Sequence, residues 1–509
     1  MSSPRVSGIL LHPTSLPSKF GIGDLGEEAY KFIDFLYDSY QQIWQILPLG
    51  PVGSGYSPYS SYSALAGNPL LISPEKLIEE GLLTQVDLSQ LPVYPLDRID
   101  YELVIKTKMP LLFQAQENFK IKASAEQKDR FEQFCQFHVY WLDDYTLFMA
   151  LKEANEGLSW NQWDSALAKR EPSAIASAKE RLKEEIFHHK FLQFIFFSQW
   201  TDLKQYANEK EVKIFGDIPI YVAHDSVDVW ANPEIFCLDE ETSEPDLMAG
   251  VPPDYFSNTG QLWGNPVYNW ENLEKDNFKW WVDRIKGMLD YVDIMRIDHF
   301  RGFESFWAVK RGEEEIVDGQ KTAIAGEWLE APGTALFTTL EKELGKVAIV
   351  AEDLGIITPE VEALRDKFKL PGMKVLQFAF DSDRANSFLP YNYSDRNCVV
   401  YTGTHDNNTT VGWFEERSPE EKLRVIDFIG YFAPESIHWS LIRLALSSVA
   451  DIAIFPLQDI LGLGSWAKMN SPGVAEGNWE WICRAGVLTP ETVERLKSLT
   501  YLYGRAPWR

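Results

Sequence analysis

Eight short apolar runs, each ending in polar residues, recur along the chain. The runs are rich in Val and Ile and are continuous rather than alternating, which is typical of strands buried on both faces of a parallel sheet. They are VSGILLH (6–12), QIWQILP (42–48), VKIFGD (212–217), VDIMRID (292–298), VAIVAED (347–353), MKVLQFAFD (373–381), CVVYTGTHD (398–406) and DIAIFPLQD (451–459).

Amphipathic helical stretches lie between several of the runs, for example at 25–40 and at 278–292. Strands that alternate with helices predict an α/β fold, and eight of them predict a (β/α)8 TIM barrel with its active site at the carboxyl ends of the strands. A doubly wound open sheet is the alternative. The sequence shows no GxGxxG after the first strand and no GxxxxGK[ST] phosphate loop, which disfavours that alternative.

The spacing of the runs predicts one catalytic barrel over residues 1–509 with two inserts. The first, at roughly 50–210, contains long helical patterns and is predicted to be a mostly helical subdomain. The second, at roughly 225–277, is rich in Pro, Asn and Gly and is predicted to be a loop-rich lid over the active site. About 50 residues follow the eighth run, too few for a C-terminal β-sandwich.

Charge and cysteine content narrow the class of protein. The 48 basic and 75 acidic residues give a net charge of −27, which argues against nucleic acid or an anionic membrane as partner and fits a neutral ligand. Four widely separated cysteines predict reduced thiols rather than disulfides or a metal site. With no signal peptide or long apolar span in the sequence, we expect a cytoplasmic protein.

The fourth run ends in a charged cluster, RIDHFRG. Residues two apart in a strand face the same side, so Arg296 and Asp298 are expected to point together into the barrel mouth. A neighbouring arginine stabilises an ionised carboxylate, the form that a carboxylate nucleophile needs. A purely structural ion pair is the competing interpretation.

Two more runs end in carboxylates. Glu352 closes the fifth run, where partial desolvation would raise its pKa and suit a general acid, although an acidic residue at a helix start is an equally simple interpretation. His405 and Asp406 close the seventh run, where Asx residues also often form turns. Neighbouring strands add Asp217 and His12, and two carboxyl groups with opposite roles are the machinery of a retaining glycosidase.

Several longer stretches resemble one family, the amylomaltases or 4-α-glucanotransferases (glycoside hydrolase family 77) of the α-amylase-like superfamily. The resemblance covers nearly the whole chain. The stretches are LLHPTSLPSKFGIGDLG, GDIPIYVAHDSVDVWANPE, AGVPPDYFSNTGQLWGNPVY, RIDHFRGFESFW, VAEDLG, GTHDNNT, KMNSPG and NWEWI. The resemblance implies transfer of α-1,4-glucan segments between malto-oligosaccharides derived from starch or glycogen, with glucose as an acceptor and with no metal or cofactor.

The resemblance also implies roles for individual residues. Asp298 would be the nucleophile, Glu352 the acid/base and Asp406 the carboxylate that stabilises the transition state. The implied sugar-binding or supporting residues are Arg296, His299, His405, Asp217, Asp254, Gln261, Trp263, Tyr59, Ser57 and Asn470. A hydrolase of the same superfamily would share the three carboxylates, and a non-catalytic glucan-binding protein would not need them. The sequence does not distinguish a bacterial cytosolic protein from a mature plastid one.

Overall fold

Eight parallel strands form the centre of the molecule in the computed structural model, which describes residues 5–253, 258–317, 319–430, 437–474 and 476–507. Their spatial order is β11-β6-β3-β2-β1-β14-β13-β12. They are β1 (Val6–Leu10), β2 (Ile43–Gln45), β3 (Lys213–Pro219), β6 (Ile294–Asp298), β11 (Ile349–Ala351), β12 (Gly372–Val375), β13 (Cys398–Tyr401) and β14 (Ile452–Pro456).

The first and last strands in this order also meet. The amide of Ala351, at the end of β11, donates a hydrogen bond of 2.8 Å to the carbonyl of Pro371, just before β12. The sheet is therefore a nearly closed barrel, and the predicted (β/α)8 fold is confirmed. Each predicted apolar run supplies one strand, and nearly all strand residues are buried because the helices cover the outer face.

Nineteen α-helices lie within the described ranges, and most of them surround the barrel or extend from it. They are α1 (Glu27–Asp38), α2 (Pro74–Glu79), α3 (Gln85–Leu88), α4 (Tyr101–Lys122), α5 (Ala125–Phe137), α6 (Val139–Ala154), α7 (Ser165–Ala168), α8 (Pro172–Arg181), α9 (Lys183–Glu209), α10 (Val227–Ala231), α11 (Trp270–Lys275), α12 (Lys279–Tyr291), α13 (Gly333–Leu344), α14 (Pro359–Lys367), α15 (Thr410–Glu415), α16 (Pro419–Ile429), α17 (Ile437–Ser447), α18 (Leu457–Ile460) and α19 (Pro490–Leu502). None of these helices is long and apolar enough to cross a membrane.

The helices between β2 and β3, α2 to α9, share one hydrophobic core with the barrel. The longest of them, α9, packs against α1 and α6 and reaches β3. Two of its aromatic residues, Phe196 and Trp200, are fully buried. The α9 helix therefore ties this helical segment to the barrel wall that leads into Asp217.

A second sheet lies beside the barrel mouth, and the sequence analysis did not predict it. Its antiparallel strands, in the order β10-β7-β4-β5, are β4 (Leu247–Val251), β5 (Gln261–Pro266), β7 (Ser305–Lys310) and β10 (Gly326–Glu330). Strands β4 and β5 come from the segment predicted to be a loop-rich lid, and β4 pairs with both β5 and β7, a strand that follows Asp298. The hairpin of β8 (Ile316–Val317) and β9 (Gln320–Lys321) extends from the same region.

Candidate active site

The site begins at the carboxyl end of β6, where a buried ion-pair network forms. Nη2 of Arg296 lies 2.6 Å from Oδ1 of Asp298, and Nη1 lies 2.5 Å from Oδ2 of Asp217 on the adjacent strand β3. The pairing of Asp217 with Arg296 follows from the parallel register of β3 and β6. Burial opposes the charge on Arg296, yet the two carboxylates hold the pKa of this guanidinium well above its ordinary value.

Asp217 and Asp298 differ in their access to solvent. The side chain of Asp217 is fully buried, whereas that of Asp298 is 30% exposed toward the barrel mouth. Asp217 also accepts a 2.6 Å hydrogen bond from the hydroxyl of Tyr59. Burial and the nearby Asp217 raise the pKa of Tyr59 well above its ordinary value, which keeps this hydroxyl a donor. Asp298 is therefore the member of the network that a ligand can reach.

Glu352 follows β11, the other neighbour of β6. The register that pairs Ala351 with Ile297 places Glu352 beside Asp298, on backbones about 4.8 Å apart. Its carboxylate accepts hydrogen bonds from two backbone amides, those of His299 (2.7 Å) and Leu354 (2.8 Å). Burial, reinforced by the negative charge of Asp298, raises the pKa of Glu352 to about 8. At neutral pH this group therefore holds its proton.

His299 provides its amide to Glu352 because its backbone is left-handed, with φ of 55°. It precedes the 3₁₀ turn Phe300–Phe303 that leaves the barrel. Burial lowers the pKa of its imidazole to about 4, so the ring is neutral at pH 7. Its buried Nε2 has no hydrogen-bond partner among the described residues, which leaves this atom free to contact a ligand hydroxyl.

Asp406 reaches the site from β13, across the barrel mouth. Its Oδ1 accepts a 2.7 Å hydrogen bond from Asn470, and its Oδ2 lies 3.3 Å from Nε2 of His405. The ring of Tyr59 stacks on that of His405, with centroids 5.2 Å apart and planes 14° apart. Because the hydroxyl of Tyr59 contacts Asp217, this residue connects the two sides of the mouth.

Residues of the segment predicted to be a lid contact the site through His299. The Trp263 ring, 38% exposed on β5, meets the His299 ring edge-on at 4.8 Å, and its Nε1 lies 3.3 Å from Oε1 of Gln261. Ser57 lies in the turn that precedes Tyr59, where its hydroxyl accepts a 3.3 Å hydrogen bond from the amide of Tyr59. Asp254 lies outside the described residues. The structure thus brings the other predicted residues together around one mouth.

Three supporting features were not found by the sequence analysis. The amides that hold Glu352 belong to backbone and have no side-chain signal. Asp459 is the last residue of the eighth apolar run. It accepts hydrogen bonds from Thr402 (2.6 Å) and Thr410 (2.6 and 2.7 Å), which lie at the two ends of the loop that holds Asp406, and so it fixes both ends of that loop. The centroid of the Trp479 ring lies 6.0 Å from that of the His405 ring and 5.9 Å from that of the Tyr59 ring. Only Asp459 had a signal, as a polar residue at a strand end.

Two neighbouring carboxyl groups in different surroundings at the mouth of a barrel are the arrangement that retaining enzymes acting on glycosidic bonds use. The family model for 4-alpha-glucanotransferases, glycoside hydrolase family 77, matches residues 11–487. The chain belongs to this family, and its activity is transfer of α-glucan segments. Within the described residues, no group of three or more His, Cys, Asp or Glu side chains could hold a metal ion.

Similar proteins agree with this assignment. The 4-alpha-glucanotransferase of Synechocystis sp. is 59% identical over 506 residues, which is 99% of both chains. That of Thermus thermophilus is 49% identical over 98% of this chain and 99% of its own. The solved amylomaltase from Streptococcus agalactiae, in complex with acarbose, superposes with a TM-score of 0.93 at 39% identity and covers 99% of this chain and 100% of its own.

Proposed function

We propose that the chain disproportionates malto-oligosaccharides by a retaining double displacement, with Asp298 as nucleophile and Glu352 as acid/base. The observation that supports these roles best is the contrast between two neighbouring carboxyl groups. A guanidinium lies 2.6 Å from Asp298, whereas burial raises the pKa of Glu352 to about 8. Retaining glycosidases place such groups about 5–5.5 Å apart, in accord with their positions on adjacent strands.

In the first displacement, Glu352 gives its proton to the oxygen of an α-1,4 bond. A carboxylate oxygen of Asp298 forms a bond to the anomeric carbon as the glycosidic bond breaks, and the shortened glucan leaves with the proton of Glu352. Asp406, across the mouth, stabilises positive charge that develops on the sugar ring. Neutral His299, together with His405, holds hydroxyl groups of the same sugar.

In the second displacement, the Glu352 carboxylate removes a proton from the 4-OH of an acceptor glucan or glucose. The acceptor oxygen bonds to the anomeric carbon, and Asp298 is released as a carboxylate. Two inversions retain the α configuration. Hydrolysis would follow the same path with water as acceptor. We expect Trp263 and Gln261, beside His299, to favour transfer by shielding the covalent intermediate from water.

Asp217 has a supporting role in this proposal. Its carboxylate is fully buried, so it acts through Arg296 and Tyr59. The partners proposed are malto-oligosaccharides and starch- or glycogen-derived glucans, with glucose as acceptor. The four cysteines are free thiols, in keeping with the cytoplasmic location that we propose.

Incubation with maltotriose tests the proposal. Products are separated by chromatography while total reducing ends are counted. We expect glucose and a ladder of longer oligosaccharides at a constant number of reducing ends, and no products from the Asp298→Asn variant. A rising number of reducing ends without longer products would identify a hydrolase and overturn the proposal.

A further inference from the structure

Two consecutive polar residues, Gln458 and Asp459, follow the last barrel strand β14 on the short helix α18. Both are buried, with 8% and 1% of their surface exposed. Neither was among the residues predicted to bind or cleave a glucan. A buried polar side chain is costly unless hydrogen bonds satisfy it, so the partners of these residues indicate why polar groups occupy this position. Each residue holds a different loop of the active-site mouth.

Asp459 holds the loop 403–409, which carries Asp406. Its Oδ2 accepts hydrogen bonds from the hydroxyls of Thr402 (2.6 Å) and Thr410 (2.7 Å), and its Oδ1 accepts one of 2.6 Å from the amide of Thr410. Both threonines are fully buried. Because these two residues flank the loop on either side, one buried carboxyl group fastens both of its ends.

Gln458 holds the loop that supplies the partner of Asp406. Its Nε2 donates a hydrogen bond of 3.2 Å to the carbonyl of Ala467, the last residue of the 3₁₀ turn Ser465–Ala467. The chain continues from this turn to Asn470, whose Nδ2 donates the 2.7 Å hydrogen bond to Oδ1 of Asp406. The two residues joined by that hydrogen bond therefore lie on loops that are held by adjacent residues of one short helix.

The two loops are also joined directly to each other. The side-chain amide of Asn408 donates a hydrogen bond of 2.9 Å to the hydroxyl of Ser465. The space around this contact is filled, since a Cβ atom on Gly412 would lie 2.2 Å from Oγ of Ser465 and 2.6 Å from Oδ1 of Asn408. Close-packed groups transmit strain to one another. Release of one loop at Asp459 is therefore expected to displace the other loop as well.

Asp406 depends on this support because its side chain is 41% exposed at the barrel mouth. A partly exposed carboxylate is not fixed by surrounding packing, so the backbone that carries it must be fixed instead. In the proposed function Asp406 stabilises positive charge on the sugar ring, and this stabilisation weakens as the distance between the charges increases. Misplacement of a catalytic group by about 1 Å can lower a rate by about 10²-fold.

We propose that Asp459 is a positioning residue for catalysis: it fixes the Asp406 carboxylate, with its Asn470 partner, at the productive distance from the sugar ring. This inference rests on the proposed function, because Asp459 acts only through Asp406. At 1% exposure it has no surface with which to contact a substrate. Both displacements pass through an oxocarbenium-like transition state, so loss of positioning slows either step and lowers kcat. KM changes less, because most residues predicted to bind sugar lie on other strands.

Substitution of Asp459 tests the inference. Asp459→Ala removes all three hydrogen bonds and should lower kcat for maltotriose by about 100-fold, with KM changed by less than about threefold. Asp459→Asn should keep kcat within about fivefold of the parent, because its carbonyl oxygen can accept from the amide of Thr410 and its NH2 group can donate to the two hydroxyls. A parent-like kcat in Asp459→Ala would overturn the inference. An equally low kcat in both variants would show that the charge matters rather than the contacts, and would also overturn it.

The matched control is Asp451→Ala. Asp451 immediately precedes the same strand at the opposite end of the barrel, where its Oδ1 lies 2.5 Å from Nε of Arg396. Loss of this ion pair should lower Tm and leave kcat unchanged. A comparable loss of kcat in the control would attribute the effect to general weakening of β14 and overturn the inference.

If Asp459→Ala folds poorly, Thr402→Val provides a milder test. It removes one of the three hydrogen bonds while keeping the shape of the side chain, and should lower kcat by about fivefold with KM unchanged. An unchanged kcat in this variant would overturn the inference.

A double-mutant cycle separates positioning of Asp406 from general damage. Fluoride release from α-maltosyl fluoride is measured for the parent, the two single variants Asp406→Asn and Asp459→Ala, and the double variant. In the Asp406→Asn background the positioned group is already lost, so Asp459→Ala should lower the rate further by no more than about threefold. A further loss of about 100-fold, as expected for independent effects, would overturn the inference.

Failure of the inference can be told apart from failure of the proposed function. Parent-like activity of Asp406→Asn would refute the role of Asp406 and overturn the inference with it. Absence of transfer from maltotriose by the parent enzyme would instead refute the proposed function as a whole.

Discussion

Two neighbouring strand ends, those of β6 and β11, hold carboxyl groups in opposite surroundings. Asp298 on the β6 side faces a guanidinium that is itself fixed by Asp217. Glu352 on the β11 side faces two uncharged amides and apolar strand residues, and burial with the nearby Asp298 raises its pKa to about 8. The difference shows how one barrel rim can set one carboxyl group against a guanidinium and keep its neighbour as a proton donor, chiefly through burial.

The largest effect is expected when the nucleophile is removed. Asp298→Gly should lower kcat/KM for maltotriose by about 10⁴-fold or more. With α-maltosyl fluoride as donor and azide added, azide should occupy the vacated space and give the β-glycosyl azide, the product of one inversion. Product anomers are determined by NMR. Formation of the α-azide would contradict the role of Asp298.

Removal of the proton donor should be less damaging and should depend on the leaving group. Glu352→Gln is expected to lower kcat/KM for maltotriose by about 10³-fold, because departure of a sugar needs its proton. Fluoride leaves without one, so consumption of α-maltosyl fluoride should fall much less. Glu352→Gly with azide should form the α-azide, opposite to that from Asp298→Gly. Equal losses with both donors would refute the acid role.

The pH dependence of kcat/KM tests the protonation of Glu352 directly. Because Glu352 must be protonated to act as acid, kcat/KM for maltotriose should fall about tenfold per pH unit above a pKa of about 8. With α-maltosyl fluoride this basic limb should be absent. Initial rates measured between pH 6 and 10 with each donor would test this. If kcat/KM declined at the same pH with both donors, the decline would be due to a group other than Glu352.

The smallest effect concerns stability. A raised carboxyl pKa means that the folded state binds the proton more tightly than the unfolded chain, so stability falls as pH rises from about 4.5 toward 8. Glu352→Gln removes this dependence. The difference in Tm between Glu352→Gln and the parent should therefore be a few °C more positive at pH 8 than at pH 5.5.

The matched control for this measurement is Glu360→Gln. Glu360 lies exposed in the first turn of α14, so its titration is complete well below pH 8. Its Tm difference from the parent should be the same at pH 5.5 and at pH 8. A similar pH trend in both variants would show that the effect does not come from Glu352.

The barrel could be predicted because its strands are buried on both faces, so their sequences are continuous apolar runs whose polar ends mark the mouth. The pairing of Arg296 with Asp298 followed from strand alternation alone. The antiparallel sheet could not be predicted this way, because β5 is half-buried and β10 is largely exposed. Among the described strands, β10 pairs only with β7, across a turn-rich segment. The contacts of Tyr59 and Asn470 join residues 158 and 64 positions apart, a distance that no local pattern spans.

The left-handed backbone of His299 narrows the sequence space open to the protein at this position. A residue here must tolerate φ of 55°, which glycine, asparagine and aspartate do readily and β-branched residues do not. It must also keep an amide aimed at Glu352, and a polar side chain beneath Trp263. Few side chains meet all three demands, so selection from a library randomised at residue 299 would recover histidine with asparagine as the nearest substitute.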